Sequence, residues 1–268
     1  MNLHSSWPRA MRVATAAMAL ALGAAPSFAR NPSSTFLDSL PGLRSTPPTG
    51  FVHCPQFFVG GKPPPVPRRA QQRELCYEAF AVLHSGQTRT PVYVAQRLNR
   101  QVLEGANEKR SDKFFADARL PRGERAELDD YKRSGYSRGH MAPAADMDTP
   151  TAMAQSFSLA NMVPQDPRQN GGPWARIEQD TRRYAQRARG DVYVITGPVF
   201  AAGGPTIGAN QVHVPTHLFK LVYDATTQRA WAHWQANRPD ERAGPPISYQ
   251  ELVKRTGVEF LPALAAAH

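Results

Sequence analysis

The chain has 268 residues, enough for one sizeable domain with a hydrophobic core or for two small domains. Its formal net charge is +10 at pH 7, so an anionic partner is expected, and nucleic acid is the first candidate. A bacterial surface, or a simple effect on solubility, would also fit this charge. The two cysteines form neither a Cys-x-x-Cys nor a Cys/His pattern, which argues against a structural zinc site.

Residues 1–29 have the pattern of a targeting segment. Arg9 and Arg12 precede the uncharged apolar run 13–25, and Ser27-Phe28-Ala29 gives the small-x-small ending that a signal peptidase accepts. The run is too short to span a bilayer about 30 Å thick. The segment contains two arginines and no acidic residue, so the rest of the chain carries +8. We expect a periplasmic or secreted protein that is not attached to a membrane after cleavage of its signal peptide.

Two further parts of the domain organisation follow from composition. Residues 30–50 are rich in Ser, Pro, Thr and Gly and predict a flexible lead-in to a folded domain over residues 51–268. Cys54 and Cys76 are an even count in a chain expected in an oxidising compartment, which suggests one disulfide. That bond would enclose the proline-rich stretch 61–69.

An antiparallel hairpin is predicted near the start of the folded domain. An apolar and aromatic segment at 75–84 is followed by a turn signal at 85–88 and an apolar segment at 92–95. A buried strand is predicted over 191–196, ended by Gly197-Pro198, because its residues are mainly apolar. Further strands are predicted over 218–223 and 230–234.

Helices are predicted between and after these strands. Apolar residues recur along one side of residues 174–187, and Ser248 and Glu251 form a capping box that begins a short helix ended by Gly257. Residues 104–138 are polar and mixed in charge, which predicts either a solvated loop or a loop that contacts phosphate. A turn is expected around residues 164–169. The mixture predicts an α+β fold with a central antiparallel sheet and flanking helices.

The tripeptide Arg138-Gly139-His140 combines residues that phosphodiester hydrolysis requires. A neutral histidine can take a proton from water because its ordinary pKa is near 6.5. A hard cation such as Mg²⁺ neutralises charge that develops on phosphoryl oxygens, and it binds oxygen ligands while keeping several waters. Gly139 allows the backbone to turn tightly or approach a substrate closely. The tripeptide alone is a weak signal, because such combinations occur often by chance.

Two later segments give the tripeptide a context. Residues 158–165 are Ser-Leu-Ala-Asn-Met-Val-Pro-Gln, and residues 170–178 are Asn-Gly-Gly-Pro-Trp-Ala-Arg-Ile-Glu. Together with residues 136–146 they resemble the sugar-nonspecific DNA/RNA endonuclease family. The family hallmarks are Asp-Arg-Gly-His, then Ser-Asn-x-x-Pro-Gln, then Asn-Gln-x-x-Trp-x-x-x-Glu. The resemblance extends through residues 194–200 and 214–220, and it covers roughly residues 75–260.

The resemblance implies a ββα-metal active site and a role for each matching residue. His140 would be the general base, and Asn170 would hold Mg²⁺, or Mn²⁺ in its place, through its amide oxygen. Glu178 would reach the same metal through a bound water. Eight residues at 100° each return to within about 80° of one helix face, so Asn170 and Glu178 could face one cleft. Arg138 would bind phosphate or orient the loop, and the expected partners are DNA and RNA, with a homodimer as one possible assembly.

Two further matches are less specific, and several matching residues have ordinary alternatives. Arg110 matches the arginine that the family uses on the scissile phosphate, although it lies in a variable region. Asn161 would organise the site or would serve only a structural turn. Asn170 could simply cap a helix, because Asn is a preferred cap, and Glu178 could be a solvated helix residue.

Three features lie outside or depart from the family pattern. Ser137 stands where the family has Asp, so the activity level and pH profile become uncertain while the base and metal ligand remain. Gly171-Gly172-Pro173 replaces the usual spacer after the metal-binding Asn, which could change the angle at which Asn170 meets the metal. The histidines at 213 and 217 have a spacing that could suit a metal, although structural roles are favoured. Asp146 and Asp148 could reach a cation, although solvation in a loop is expected.

Three function classes therefore remain. The first is an exported, Mg²⁺-dependent endonuclease that cuts DNA and RNA without sequence preference, since phosphate and sugar contacts carry no sequence information. The second is a nuclease-like nucleic-acid-binding protein whose catalysis is weak or lost, as Ser137 suggests. The third is a metal-dependent phosphodiesterase for small substrates.

Overall fold

The structure is a computed structural model that describes residues 50–262. The predicted targeting segment 1–29 lies outside the described residues, and so does the predicted lead-in apart from Gly50. No helix in the described part is long and apolar enough to cross a membrane.

The strands of the described part are β1 Gln72–Cys76, β2 Ala81–Ser85, β3 Thr90–Leu98, β4 Ser137–His140, β5 Met162–Gln165, β6 Val192–Val199, β7 Thr206–Ile207, β8 Val212–His213, β9 His217–Asp224, β10 Arg229–Ala236 and β11 Ile247–Ser248. The α-helices are α1 Arg100–Gly105, α2 Leu128–Tyr131, α3 Pro150–Ser156, α4 Pro167–Gln169, α5 Ala175–Arg187 and α6 Tyr249–Thr256.

Seven strands form a central sheet in the order β1-β2-β3-β6-β9-β10-β11. Every neighbouring pair in it is antiparallel. The middle strands β3, β6 and β9 are buried along most of their length because both faces of the sheet are covered. The predicted α+β class with a central antiparallel sheet is confirmed.

The two faces of the sheet have different coverings. On one face, α1, α3, α5 and the β4–β5 pair bury side chains that include Val94, Phe157 and Trp174. On the other face, α6 and the N-terminal turns around Phe51 pack on Tyr93 and other aromatic residues. Full burial of one such side chain contributes about 1.5–3 kcal/mol. The side chains on the first face therefore pack on a rigid, well-packed sheet.

The predicted hairpin exists between β2 and β3, but the segment 75–84 is not a single strand. Strand β1 ends at Cys76, and the chain turns with a hydrogen bond from Tyr77 N to Phe80 O at 2.9 Å before β2 begins. The apolar pattern hides this turn because the rings of Tyr77 and Phe80 stack in the core with their centroids 4.4 Å apart. A turn formed by buried aromatic residues has no polar signal.

Strand β6 continues through Gly197-Pro198 to Val199, so its predicted end at residue 197 is wrong. Its pairing with β3 stops at Thr196, whereas its pairing with β9 continues and sets Pro198 opposite Leu218. A proline lacks an N–H donor and is tolerated where a strand has a free edge. Beyond Thr196 the strand has such an edge on the β3 side.

The two helix predictions are confirmed. Residues 175–187 are helical as α5, and α6 begins at Ser248, whose hydroxyl accepts a hydrogen bond from Glu251 N at 3.1 Å. Helix α6 ends at Gly257, whose φ of 68° lies in the left-handed region that glycine adopts without strain.

The predicted disulfide joins Cys54 to Cys76, whose Cα atoms are 5.8 Å apart. The bond closes a loop with a sequence separation of 22 residues. We expect the Cys54→Ser/Cys76→Ser double variant to lose about 3 kcal/mol of unfolding free energy, because the unfolded chain regains loop entropy. Urea unfolding measures this loss, and wild-type protein with a reducing agent provides the matched control. An unchanged unfolding midpoint in both would contradict the prediction.

Candidate active site

The antiparallel pair β4–β5 carries the Arg138-Gly139-His140 stretch. Because side chains alternate along a strand, Arg138 and His140 project from one face of β4 and Gly139 from the other. Arg138 lies opposite Pro164 and His140 opposite Met162 on β5. The turn predicted around 164–169 therefore begins later, after Gln165. The pair is followed by the helical segment that starts at residue 167, which gives the expected ββα order.

Gly139 is required by close packing against β5. A Cβ atom at this position would lie 2.6 Å from the Cβ of Gln165, a separation that real side chains do not tolerate. Gln165 cannot easily move, because it is fully buried and donates a hydrogen bond to Gln169 Oε1 at 2.6 Å. The backbone around Gly139 therefore admits no side chain.

We expect Gly139→Ala to lower the free energy of unfolding by about 1–3 kcal/mol through overpacking. The strand must also shift, so the turnover of any reaction that uses His140 should fall with it. Thermal unfolding and activity measure the two effects. Gly135→Ala is the comparison variant. A Cβ atom at Gly135 would meet no atom within 4 Å, so alanine there is disfavoured only by the φ of 81° and not by overpacking. Wild-type stability of Gly139→Ala would contradict the packing argument.

His140 lies against aromatic rings at the end of β4. Its ring is 5.1 Å from Phe157, edge to face, and 5.9 Å from Phe114. Its Nε2 atom is buried and has no hydrogen-bond partner within residues 50–262. Burial lowers the pKa of His140 to about 3, and the positive charge of Arg110 contributes in the same direction. The imidazole is therefore neutral at pH 7 and available as a proton acceptor.

The pKa of His140 can be measured directly by NMR titration of its ring in the metal-free protein. We expect no titration around the ordinary histidine pKa of about 6.5, because the charged imidazolium is disfavoured by burial. The neutral form should persist as the pH falls through this value and be lost only as the pH approaches about 3. Arg110→Gln should raise the pKa by removing a nearby positive charge. A midpoint near the ordinary value would contradict the prediction.

A basic cleft of about 610 Å³ opens beside His140. Arg110, Lys132, Arg138 and Asn170 line it, together with Ser137 and the ring of Phe114. The Arg138 guanidinium stacks on Phe114 at 4.0 Å, and the Arg110 guanidinium lies 5.0 Å from the centre of the Phe157 ring. Three cations around a cleft that also contains Asp129 give a net positive lining suited to phosphate.

Asn170 begins a π-helical turn, Asn170–Trp174, that leads into α5. Its side chain lines the cleft, and it caps neither the turn nor α5, so the capping alternative is not supported. The turn contains Gly171, Gly172 and Pro173, and proline disfavours regular α-helix because it lacks an N–H donor. A π turn rotates less per residue than an α-helix. The angle expected between the side chains of Asn170 and Glu178 assumes a regular α-helix, so it does not apply here.

The oxygen-rich character of the site fits a hard divalent cation. Within residues 50–262, no group of three or more His, Cys, Asp or Glu side chains is arranged to hold a metal. The amide oxygen of Asn170 is unengaged in the described part, and Glu178 is a carboxylate on the following helix. One or two oxygen donors are enough for an ion that keeps several of its waters.

Glu178 lies near the charges of Lys220, Asp146 and Arg182 and does not line the cleft. Burial raises its pKa to about 7, and the positive charge of Lys220 opposes this rise. Asp146 is 4% exposed and pairs with Arg182 Nε at 2.7 Å, so its predicted solvation is wrong. An apolar environment requires such charges to be paired, and this pairing is what holds Asp146 inside.

Lys220 and Arg182 are site-adjacent residues that the sequence patterns did not single out. Strand register aligns Val94, Thr196, Lys220 and His233 in one row across the sheet, below α5. Lys220 Nζ is fully buried, donates to Thr196 Oγ1 at 2.8 Å, and lies 5.4 Å from the Trp174 ring. A lysine at an otherwise buried strand position is the signal that could have revealed it.

Asn161 is fully engaged by the backbone around His140. Its Oδ1 accepts from Ala142 N at 2.9 Å, and its Nδ2 donates to Ala142 O and Ser156 O at 2.9 Å each. Its own carbonyl accepts from Met141 N at 3.0 Å. These contacts favour the structural alternative, in which Asn161 fixes the chain that follows His140, over a contact with hydrated metal or substrate.

The other candidate histidines lie in separate aromatic contacts. His213 packs edge-on against Phe200 at 5.9 Å, and His217 lies 5.3 Å from the Trp234 ring. His217 is also 3.2 Å from Thr216 Oγ1. Each has a packing role, which supports the structural interpretation.

Comparisons with known proteins agree with this geometry. The model of the DNA/RNA non-specific endonuclease family matches residues 64–267. The mitochondrial nuclease EXOG of Danio rerio is 40% identical over 206 residues, covering 68% of this chain and 59% of the relative. The mitochondrial endonuclease G of Bos taurus is 29% identical, covering 96% of both chains. A crystal structure of an EndoG/EndoGI complex matches with a TM-score of 0.63 at 24% identity, covering 73% of this chain and 87% of that chain.

These relatives correct the expected location. The expectation of a periplasmic or secreted protein is wrong by this comparison, because relatives from animals and from Saccharomyces cerevisiae are mitochondrial nucleases. Mitochondrial targeting segments also contain arginines and lack acidic residues, and they can be rich in small and apolar residues. The composition of residues 1–29 therefore did not distinguish the two destinations.

The matches cover different shares of this chain and of its relatives. The chain spans between 56% and 59% of the length of the EXOG relatives, and its match to the family model covers most of its own length. The ββα order, the His140 strand and the Asn170 turn all fall inside the matched range. The chain belongs to the DNA/RNA non-specific endonuclease family.

Proposed function

We propose that this protein is a metal-dependent endonuclease that hydrolyses phosphodiester bonds in DNA and RNA without sequence preference. The observation that carries the proposal is the neutral His140 beside a basic cleft lined by Asn170. A neutral base next to a phosphate-binding cleft is the arrangement that phosphodiester hydrolysis requires. Family membership supports the same activity.

The cleft cations bind and orient the substrate. Arg138 and Arg110 are held by stacking on Phe114 and Phe157, so their guanidinium groups lose little additional freedom on binding phosphate. Lys132 is exposed at the same cleft and adds charge. Contacts of this kind go to phosphate oxygens, which DNA and RNA share, and they contribute no base specificity.

His140 acts as the general base that accepts a proton from water. Its burial among aromatic rings keeps the imidazole neutral, and Asn161 fixes the backbone immediately after it. Asn170, with Glu178 behind it, would hold the divalent cation. When bound, Mg²⁺ would neutralise charge on the phosphoryl and leaving oxygens.

The test is digestion of plasmid DNA and of RNA by the purified protein, with Mg²⁺ or with EDTA. Cutting of both polymers with Mg²⁺ and of neither with EDTA is expected. A series in Mn²⁺, Ca²⁺ and Zn²⁺ then identifies the ions that the site accepts. Absence of any metal-dependent cutting contradicts the proposal.

A nucleic-acid-binding protein with weak turnover is the second candidate. It is favoured by Ser137, which lines the cleft at the position where the family pattern has Asp. It predicts salt-sensitive binding of DNA with little cleavage, and a faster reaction in Ser137→Asp. Efficient metal-dependent turnover by the wild type that Ser137→Asp does not increase would exclude this candidate.

A further inference from the structure

A second groove lies next to the catalytic cleft, and its chemistry is different. It measures about 830 Å³ and shares Phe114, Leu128 and Asp129 with the cleft. Phe115 and Leu128 line it with exposed fractions of 39% and 44%. Among the described residues, the only other large hydrophobic side chain exposed to this degree is Val52. Two such side chains meeting at one groove beside an active site indicate a binding surface.

The sign of the charge reverses between the two depressions. The catalytic cleft is lined by Arg110, Lys132, Arg138 and a single acid, Asp129. The second groove contains Arg122 and the acidic residues Glu127, Asp129 and Asp130. Phosphate is attracted to the first and repelled from the second. A neutral, flat and partly apolar group attached to the phosphate chain fits the second.

The groove is formed by backbone that is already fixed. Phe115 is tied to the turn that follows α3, since its N–H donates to Phe157 O at 3.2 Å and its carbonyl accepts from Leu159 N at 2.8 Å. Leu128 begins α2, which a capping box between Glu127 and Asp130 holds in place. A prearranged apolar surface binds without paying for loop ordering.

Asp129 supplies the polar part of the groove. It is exposed at the wall shared with the catalytic cleft, and its carboxylate makes no hydrogen bond or ion pair within residues 50–262. Asp130, in contrast, is buried and engaged by the side chain and backbone of Asn210. A free carboxylate beside an apolar surface can accept hydrogen bonds from the amino groups of a nucleobase.

We propose that the groove formed by Phe115 and Leu128 binds an unpaired nucleobase of the substrate strand, next to the phosphate in the catalytic cleft. This inference rests on the proposed nuclease function. A base in a duplex is stacked and paired and cannot enter, whereas a base in a single strand of DNA or RNA can turn outward. The groove therefore adds affinity for single strands over duplexes.

The experiment measures dissociation constants in EDTA, so that no cleavage occurs, for a single-stranded oligonucleotide and for its duplex. Phe115→Ala and Leu128→Ala are each expected to weaken single-strand binding by about fivefold or more, as removal of a base-stacking side chain does. Duplex binding should change much less. Phe115→Tyr should retain the wild-type affinity because it keeps an aromatic ring. Val52→Ala, which removes the exposed apolar side chain outside the groove, is the matched control and should change neither constant.

A strand of the same length made of abasic residues separates base binding from phosphate binding. The wild type should bind it more weakly than the normal strand, and Phe115→Ala should bind the two strands almost equally. Equal losses on single-stranded, duplex and abasic ligands, or no loss at all, would overturn the proposal. Thermal unfolding of each variant shows whether a loss reflects damage to the fold.

Three further outcomes are distinguishable. If sedimentation shows that Leu128→Ala breaks a dimer, the groove is covered by a second copy of the chain and the base-binding proposal is overturned. If the wild type binds no nucleic acid and shows no Mg²⁺-dependent cutting, the nuclease function fails together with the groove proposal. If the wild type cuts normally and the groove variants retain single-strand affinity, only the groove proposal fails.

Discussion

Replacing His140 with alanine is expected to lower kcat for metal-dependent cleavage by about 10²- to 10⁴-fold, the usual effect of removing a general base. The loss should appear in kcat rather than in KM, because Arg110, Lys132 and Arg138 still bind phosphate. Steady-state cleavage of a labelled oligonucleotide measures both constants. The imidazole packs on the rings of Phe157 and Phe114, and its Nε2 has no hydrogen-bond partner within residues 50–262, so the variant should retain the fold.

The control for this variant is His53→Ala. His53 is an exposed histidine in the short 3-10 turn Phe51–His53, beside the disulfide, and it should have no effect on turnover. Thermal unfolding of both variants should show a cooperative transition. A folded His140→Ala protein with the kcat of the wild type would remove His140 from the mechanism.

Asn170→Ala is expected to weaken Mg²⁺ binding by at least the 10- to 100-fold that loss of a supporting contact at a metal site causes. The amide oxygen of Asn170 is the unengaged oxygen donor at the cleft, and Glu178 does not line the cleft. Calorimetric titration with Mg²⁺ measures the change without depending on activity. The Mg²⁺ concentration for half-maximal cleavage should rise in parallel.

Two comparisons test whether Asn170 acts through its oxygen. Asn170→Asp keeps an oxygen donor and should retain metal binding and metal-dependent cleavage. Asn107→Ala removes an exposed amide that donates only to Glu104 O, and it should match the wild type. If Asn170→Ala binds Mg²⁺ as tightly as Asn170→Asp, the assignment of Asn170 as a metal ligand is wrong.

The sheet and the longer helices could be predicted because their signals are local. The apolar segments at 218–223 and 230–234 lie within β9 and β10, and the Ser248 hydroxyl caps the start of α6. The strand predictions were wrong where contacts with residues distant in the sequence decided the structure. Strand β6 passes Gly197-Pro198 because β9 continues to pair with it after β3 has ended.

The same distinction applies to the candidate site, where local motifs predicted some residues and tertiary contacts decided other features. The motifs singled out Arg138 and Asn170, and a less specific match in a variable region singled out Arg110; the structure brings all three to one cleft beside His140. The angle between Asn170 and Glu178 was not predictable from regular helix geometry, because Gly171-Gly172-Pro173 lies in a π-helical turn. The role of Asn161 also depends on a tertiary contact, since both polar atoms of its side-chain amide bond to Ala142, 19 residues away along the chain.

The sequence by itself determined the fold class and the family, suggested one disulfide from its two cysteines, and singled out the Arg138-Gly139-His140 stretch. Only the tertiary structure decided that Asp146 is buried, that Lys220 lies below α5, and that Phe115 and Leu128 meet at one groove. The physical reason is the range of the interactions. Strand periodicity and helix caps depend on residues a few positions apart, whereas buried charges and apolar grooves depend on register and packing between distant segments.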